Sequence, residues 1–132
     1  MNQASNSRPL ALGLTVLGAV ARLAPHPPNF APVGSMSLFA GARLRGWQAF
    51  LLPLVLMAVT DPLMGGYSAA TPFVYAAFLV NVWIGRHLRA TESPLRIGGA
   101  ALLCSMQFFV LSNFGTWIAG SLYPHTAGGL AL

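Results

Sequence analysis

The residues of this chain that could do chemistry are few, with two carboxylates and three histidines among 132 residues. Asp61 is the most informative of them, because a carboxylate near the end of an apolar helix must face protein or water and needs a partner. Its candidate partners are Arg22, His26 and His125. Two interpretations stay open for Asp61: an ion pair with Arg22 that locks two helices together, or a direct part in binding a ligand.

Seven residues make up the predicted ligand-binding site, and they lie at the ends of apolar runs that are opposite to most of the arginines. They are His26, Asn29, Asp61, Asn113, Trp117, Tyr123 and His125. Prolines and glycines beside them break the backbone, and broken backbone at membrane depth lines cavities. Apolar walls with a few placed polar groups are typical of small-molecule sites. Two histidines and one aspartate far apart in sequence are a weak metal signal, so no metal and no cofactor is predicted.

Catalytic motifs are missing from the sequence. It contains no nucleotide-binding loop, nucleophile elbow, zinc-protease helix or paired-cysteine motif. The chain is therefore predicted not to be an enzyme. The one cysteine, Cys104, is interpreted as a small buried hydrophobe. Asn81 and Gln107 fall within apolar runs, and buried amides there are predicted to hold helices together.

Five apolar runs must position these residues. They are Pro9–Leu23, Phe30–Ala42, Trp47–Met64, Thr71–Gly85 and Ile97–Leu122. Only 7% of the residues are charged and 55% are hydrophobic, against about 25% charged in soluble domains. The sequence therefore predicts an all-α, polytopic transmembrane helix bundle of about five spans, as a single domain over residues 1–132. The second run is either a short span or a re-entrant segment, because a span needs about 20 residues. The apolar end at Leu132 predicts that a sixth span follows.

All basic residues are arginines, and six of the seven share one set of joints between the runs. These are Arg8, Arg43, Arg45, Arg86, Arg89 and Arg96. Positively charged loops stay cytoplasmic, so residues 1–8 are a predicted cytoplasmic segment and the site faces the other side. The net charge of +5 comes without a basic stripe or basic helix, which argues against nucleic acid as a partner. A secretory signal that ends at Ala19–Ala21 is the alternative to a first span.

Three stretches resemble an uncharacterised family of small bacterial integral membrane proteins. They are Pro25–Pro32 with Ser37–Ala42, then Pro53–Asp61, then Ser112–Leu130, in this order. That family has no settled activity. Its layout of about six short helices is similar to the substrate-binding S components of energy-coupling-factor vitamin transporters. The resemblance implies a multi-pass protein of the bacterial inner (cytoplasmic) membrane.

Two functions of different classes are compatible with these observations. The first is a substrate-binding component for uptake of a small molecule, with its pocket on the non-cytoplasmic side. Such a component would depend on energising transporter subunits, because this chain has no ATP site. The alternative is a small accessory or structural subunit of a larger membrane complex, respiratory or photosynthetic. A closed polar pocket would favour the first function, and corners packed against neighbouring subunits would favour the second.

Overall fold

The protein is described by a computed structural model over residues 3–25, 32–89 and 91–131, with side chains from residue 8 onward. These residues are 79% helical and contain no strand, which confirms the predicted all-α class. The six α-helices of the described part are α1 (Gln3–Leu23), α2 (Pro32–Arg43), α3 (Gln48–Thr60), α4 (Thr71–Arg86), α5 (Pro94–Ala119) and α6 (Ala127–Ala131). A short 3-10 helix, Asp61–Met64, directly continues α3.

Local sequence signals explain where several helices begin and end. Pro94 occupies the first turn of α5, and the Ser93 hydroxyl accepts a hydrogen bond from the Arg96 backbone N–H at 3.5 Å. Serine before proline is a strong start signal, since the hydroxyl caps an N–H that has no partner within the helix. Gly46 turns the chain between α2 and α3 with a φ of 66°. Gly65 ends the 3-10 helix with a φ of 121°, a conformation that side chains disfavour.

The part of the second apolar run that the structure describes lies in one continuous helix, α2, of 12 residues. Val33 near its beginning packs in a cluster with Leu56 near the end of α3. Ala40 near its end packs with Ala49 at the beginning of α3. The helix α2 is therefore antiparallel to α3 over its whole length. Twelve residues of α-helix extend about 18 Å, well short of a hydrocarbon core of about 30 Å.

One helix of the described residues, Pro94–Ala119, is long and apolar enough to cross a membrane by length and composition. The segment Gln48–Met64 is apolar but shorter. Alone, one such helix is weak evidence for a membrane location. The 26 residues of α5 are only slightly covered by the rest of the bundle, with 6% of its most apolar window buried.

Two clusters of buried side chains hold α1–α4 together, one towards each end of the bundle. The first consists of Ala40, Leu44, Ala49, Leu52 and Val82, against which Ala11 and Leu14 of α1 pack. The second consists of Val33, Leu56, Met57 and Phe78, with Phe108 of α5 packed against it. The helix α5 thus joins the bundle mainly through α4, and it leaves most of its own surface uncovered.

The closest approach between helices is the seam between α2 and α4. A methyl group on Gly41 would collide with the carbonyl oxygen of Val82, and one on Gly85 would collide with that of Leu38. Ala40 and Ala77 are fully buried. Small residues at such positions let two backbones come close enough for dense packing. Nothing in the sequence marks these two glycines as a pair, because they become one only when α2 and α4 are neighbours.

Candidate functional site

The predicted partner of Asp61 is confirmed as Arg22. The Nη2 atom of Arg22 lies 2.5 Å from Oδ1 of Asp61, and Asp61 is 7% exposed. The Tyr75 hydroxyl donates to the other carboxylate oxygen at 2.7 Å. The Nη1 atom of Arg22 donates to the Thr60 hydroxyl, which in turn donates to the carbonyl of Leu56 at 2.7 Å. These four side chains, Arg22, Thr60, Asp61 and Tyr75, form what we call the ionic cluster.

The ionic cluster joins three helices at one end of the bundle. Arg22 lies in the last turn of α1, Asp61 directly follows α3, and Tyr75 lies near the beginning of α4. Both carboxylate oxygens and the hydroxyl of Thr60 have protein partners. A buried ion pair whose remaining valences are satisfied in this way holds its helices in register. The structure therefore gives Asp61 the helix-locking arrangement.

Trp117, Tyr123 and His125 lie together at the end of α5. The indole N–H of Trp117 donates to the carbonyl oxygen of Pro124 at 2.9 Å. The ring of Trp117 meets the ring of His125 edge-on, with centroids 5.5 Å apart. The side chain of Tyr123 is exposed. Trp117 thus fixes the chain that follows α5, and it does so with the one hydrogen-bond donor that indole has.

The ionic cluster and this aromatic corner lie on different sides of α4. Phe73 packs on α5, where its ring lies 5.9 Å from that of Phe114 and where Gly115 leaves room for it. Tyr75, two residues later, bonds to Asp61. Side chains two positions apart on a helix point about 200° apart. Two further members of the predicted site, His26 and Asn29, lie outside the described residues, so a shared site of all seven residues stays a prediction.

Asn113 faces a groove between α2, α4 and α5 with a volume of about 850 Å³. Phe78 and Asn81 of α4 form its floor, and α2 and α5 form its walls. The wall residues are Gly34, Ser35, Leu38, Ala101, Cys104, Ser105, Phe108, Phe109, Ser112 and Asn113. Ligand pockets commonly have about 300–1,000 Å³. Of the predicted site residues that the structure describes, Asn113 alone lines this groove.

The two amides inside apolar runs hold α4 and α5 together, as predicted, and the structure shows that they bond to each other beside the groove. Gln107 donates to Oδ1 of Asn81 at 2.5 Å and to the carbonyl of Ala77 at 3.0 Å. Asn81 is 2% exposed, and its own NH₂ group approaches the carbonyl of Gly34 at 3.5 Å. Within the described part of the chain, Oε1 of Gln107 is buried and has no hydrogen-bond partner. This pair, Asn81 and Gln107, is called the amide pair below.

The groove contains residues that sequence reasoning did not connect with a site. Cys104 is buried, as predicted, but it also lines the groove beside Ser105 and Phe108. Serine and cysteine within apolar helices are common, so they give no signal in a single sequence. The amides Asn81 and Gln107 were the available signal, because a polar side chain in an apolar run marks the side of a helix that faces protein.

Five arginines gather at the end of the bundle that is opposite to the ionic cluster, to which Arg22 belongs. Arg86 donates to the carbonyl of Gly46 at 2.7 Å, and its guanidinium lies 4.3 Å from the ring centre of Phe50. Arg89 donates to the carbonyls of Gly41 and Leu44 at 3.2 and 2.6 Å. The α2–α3 corner and the α4–α5 corner are therefore adjacent. We call this region, with Arg43, Arg45, Arg86, Arg89 and Arg96, the arginine end.

In the described residues, no group of three His, Cys, Asp or Glu side chains is close enough to hold a metal ion. The fold and the groove together define a small all-α bundle with an interhelical cavity. The chain belongs to a family of unknown function, DUF6580, whose family model matches residues 3–132. No curated protein and no solved structure matches the chain.

Proposed function

We propose that this protein is a multi-pass membrane protein that binds a small molecule for uptake, with the groove between α2, α4 and α5 as its binding site. The observation that carries the proposal is the groove itself. It combines aromatic walls, a volume of about 850 Å³ and the buried amide of Asn81, which Gln107 holds in place. Apolar walls with few, fixed polar groups are what small-molecule binding needs.

The distribution of apolar side chains supports a membrane location. Large hydrophobic residues stand exposed along α1 and α5, among them Leu12, Val16, Leu102, Met106 and Val110, each at least 60% exposed. Soluble monomers rarely expose contiguous apolar patches of more than a few hundred Å². Lipid tails would cover these faces without cost, which agrees with the resemblance to bacterial inner-membrane proteins.

The arginine end supports an orientation. Arginine-rich corners stay on the cytoplasmic side of a membrane, so the ionic cluster and the end of α5 would face the other side. Asn113 is 6 residues from the C-terminal end of α5 and lies at the edge of the groove. A ligand would therefore enter from the non-cytoplasmic side. Transport would need energising subunits, in keeping with the layout that resembles S components.

Identification of the small molecules that co-purify with the protein tests this proposal. The full chain is purified in detergent from its native membrane, denatured in methanol, and the released compounds are identified by mass spectrometry. Ser105→Trp fills the groove, while Met106→Trp places the same ring on the adjacent, 60% exposed position outside it. We expect a compound that is enriched with the native chain and with Met106→Trp but is lost with Ser105→Trp. Equal recovery from both variants would contradict the groove as the binding site.

An accessory subunit of a larger membrane complex is the second candidate, and the bare outer face of α5 favours it. Leu102, Leu103, Met106 and Val110 are all more than 50% exposed there. Neighbouring subunits could cover this face as well as lipid could. The same purification distinguishes the two functions: protein subunits in fixed stoichiometry, without a groove-dependent small molecule, would support the accessory function and contradict uptake.

A further inference from the structure

We infer that the molecule bound in the groove is uncharged and carries a planar ring together with a hydrogen-bond acceptor such as a carbonyl oxygen. This inference rests on the proposed function of the groove, and it adds the chemical class of the ligand. It follows from three properties of the groove: its lack of charged side chains, its aromatic walls and the NH₂ group of Asn81, which has one long contact with protein, to the carbonyl of Gly34.

The groove offers no charge to an ionic ligand. None of the described residues that line it is acidic or basic. Charged side chains elsewhere in the bundle already have partners. Asp61 is paired with Arg22. Arg86 and Arg89 donate to backbone carbonyls at the arginine end. An ion that enters an apolar cavity without a counter-charge loses its hydration and gains little in return. A neutral molecule avoids this cost, so the groove selects against both cations and anions.

The aromatic residues give the groove flat apolar surfaces. Phe78 of the floor and Phe108 of the wall have ring centres 5.0 Å apart and planes tilted by 36°. Phe109 adds a third ring on the same wall and is 68% exposed. Aromatic rings pack well in offset or edge-on arrangements with other rings. A planar ring in the ligand would make such contacts with Phe78 and Phe109.

The amide pair supplies the polar contact. Both hydrogens on Nε2 of Gln107 are used, by Ala77 and by Asn81. The NH₂ group of Asn81 also carries two hydrogens, and its contact with Gly34 at 3.5 Å is long for a hydrogen bond, for which about 2.9 Å is usual. Asn81 lines the groove, so this NH₂ group can donate to an acceptor on a ligand. Gln107 holds Asn81 in the required orientation through its bond to Oδ1.

Asn113 provides a second polar position along the groove. Its NH₂ group donates to the carbonyl of Phe109 at 2.7 Å, which directs the amide along its own helix and fixes it. Asn113 is six residues beyond Gln107, or about 9 Å along the helix axis. A ligand that reaches from Asn81 to Asn113 would therefore have a polar group at each end. The Oδ1 atom of Asn113 can accept a hydrogen bond from the polar group at that end of the ligand.

Three probes with the same ring and different charge test the inference: benzamide, benzoate and benzamidinium. Their binding to the full chain in detergent micelles is measured by saturation-transfer NMR. The signal that remains with Ser105→Trp, in which the groove is filled, measures how much probe partitions into the micelle. Met106→Trp is the matched control outside the groove. We expect a benzamide signal that Ser105→Trp abolishes and Met106→Trp preserves, with the two charged probes weaker by about tenfold or more, given the cost of an unpaired ion.

A variant that adds a charge to the groove tests the inference without changing Asn81 or Gln107. Ser105 is exposed on the wall of the groove, so Ser105→Asp adds a carboxylate there without disturbing the core. We expect it to shift the preference from benzamide to benzamidinium. If benzoate or benzamidinium binds the native groove as strongly as benzamide, the neutral class is wrong while the groove remains a binding site. If no probe gives a signal that Ser105→Trp removes, the inference and the proposed site both fall.

Discussion

The ionic cluster and the amide pair are two places where polar side chains meet between apolar helices, and they differ in how completely they are partnered. In the ionic cluster, both oxygens of Asp61 and the hydroxyl of Thr60 are hydrogen-bonded. In the amide pair, Oε1 of Gln107 has no partner among the described residues, and the NH₂ of Asn81 has a long contact only. The two places also differ in the volume beside them, since Asn81 lines a groove of about 850 Å³.

The comparison shows that a polar residue in an apolar segment is not by itself evidence of a binding site. Asp61 is the more unusual residue in the sequence, yet its bonds are all directed at protein, which gives it a role in stability. Asn81 is the more ordinary residue, yet it has unused capacity beside empty space. The number of satisfied bonds and the adjoining volume distinguish the two roles, and each can be changed separately.

Asp61→Asn is expected to have the largest effect, because it leaves the partly buried Arg22 cation without its counter-charge. Breaking one partner of a buried ion pair costs about 3–5 kcal/mol. Thermal unfolding in detergent should show a large loss of stability, while groove binding by the protein that remains folded should be unchanged. The double variant Arg22→Met with Asp61→Leu removes both charges and should recover much of the loss. Reduced ligand binding at unchanged stability would show instead that Asp61 contacts a ligand.

Gly41→Ala should affect the region of the amide pair, because the close α2–α4 contact at Val82 directly follows Asn81 along α4. The new methyl group would collide with the backbone oxygen of Val82, which cannot move without shifting α4. Overpacking of this kind costs about 1–3 kcal/mol, and the shift should also weaken binding in the groove.

The control for this prediction is Gly98→Ala on α5, where an added methyl group meets nothing within 4 Å. It should be neutral or stabilising by up to about 1 kcal/mol, since alanine favours helix over glycine. A thermal unfolding series of both variants checks the pair, and equal stability of the two would contradict the close α2–α4 packing.

Tyr75→Phe tests how far the ionic cluster depends on its third member. It removes the 2.7 Å bond to Asp61 and leaves one carboxylate oxygen without that donor. Hydrogen bonds to charged groups contribute about 1.5–3 kcal/mol, so a loss of this order is expected in the free energy of unfolding. Tyr67→Phe is the matched control, because the hydroxyl of Tyr67 makes a bond of the same length to Ala58 in an exposed place. A similar loss in both variants would argue against a special role of the cluster.

Replacing Asn81 and Gln107 together by leucine should change stability by less than about 1 kcal/mol, since bonds between helices contribute about 0.6 kcal/mol on average in membranes. Binding of a groove ligand should be lost, because the buried NH₂ donor of Asn81 disappears from the groove. Unfolding and ligand binding are measured on the same preparation. Retained binding would show that the amide pair serves packing alone.

Labelling of single cysteines tests which side each region faces and should leave stability unchanged. Leu44 is fully buried and unsuitable for this purpose, whereas Trp47 near the arginine end is 69% exposed and Leu122 after α5 is 81% exposed. In a Cys104→Ser background, an impermeant thiol reagent added outside intact cells should label Leu122→Cys and spare Trp47→Cys. The reverse pattern would invert the proposed orientation.

Much of the fold could be predicted from the sequence. The apolar runs coincide closely with the helices, as Thr71–Gly85 does with α4 (Thr71–Arg86). Arg22 was among three candidate partners of Asp61, and the choice among them was not predictable, because it depends on which helix ends are neighbours. The contacts of Trp117 with Pro124 and His125 are local, because these residues follow it by seven and eight positions in the sequence.

The sequence alone determined the helical class, the approximate helix limits and the separation of most arginines from Asp61, because these depend on local apolar pattern and on the spacing of charges along one chain. The tertiary structure decided which helices touch. The neighbours α2 and α4 are separated by α3 in sequence, and their contact depends on the facing glycines Gly41 and Gly85. The groove exists only because α5 packs on α4 and leaves space beside α2. Such a space is a property of three surfaces together, so the pattern of no single segment contains it.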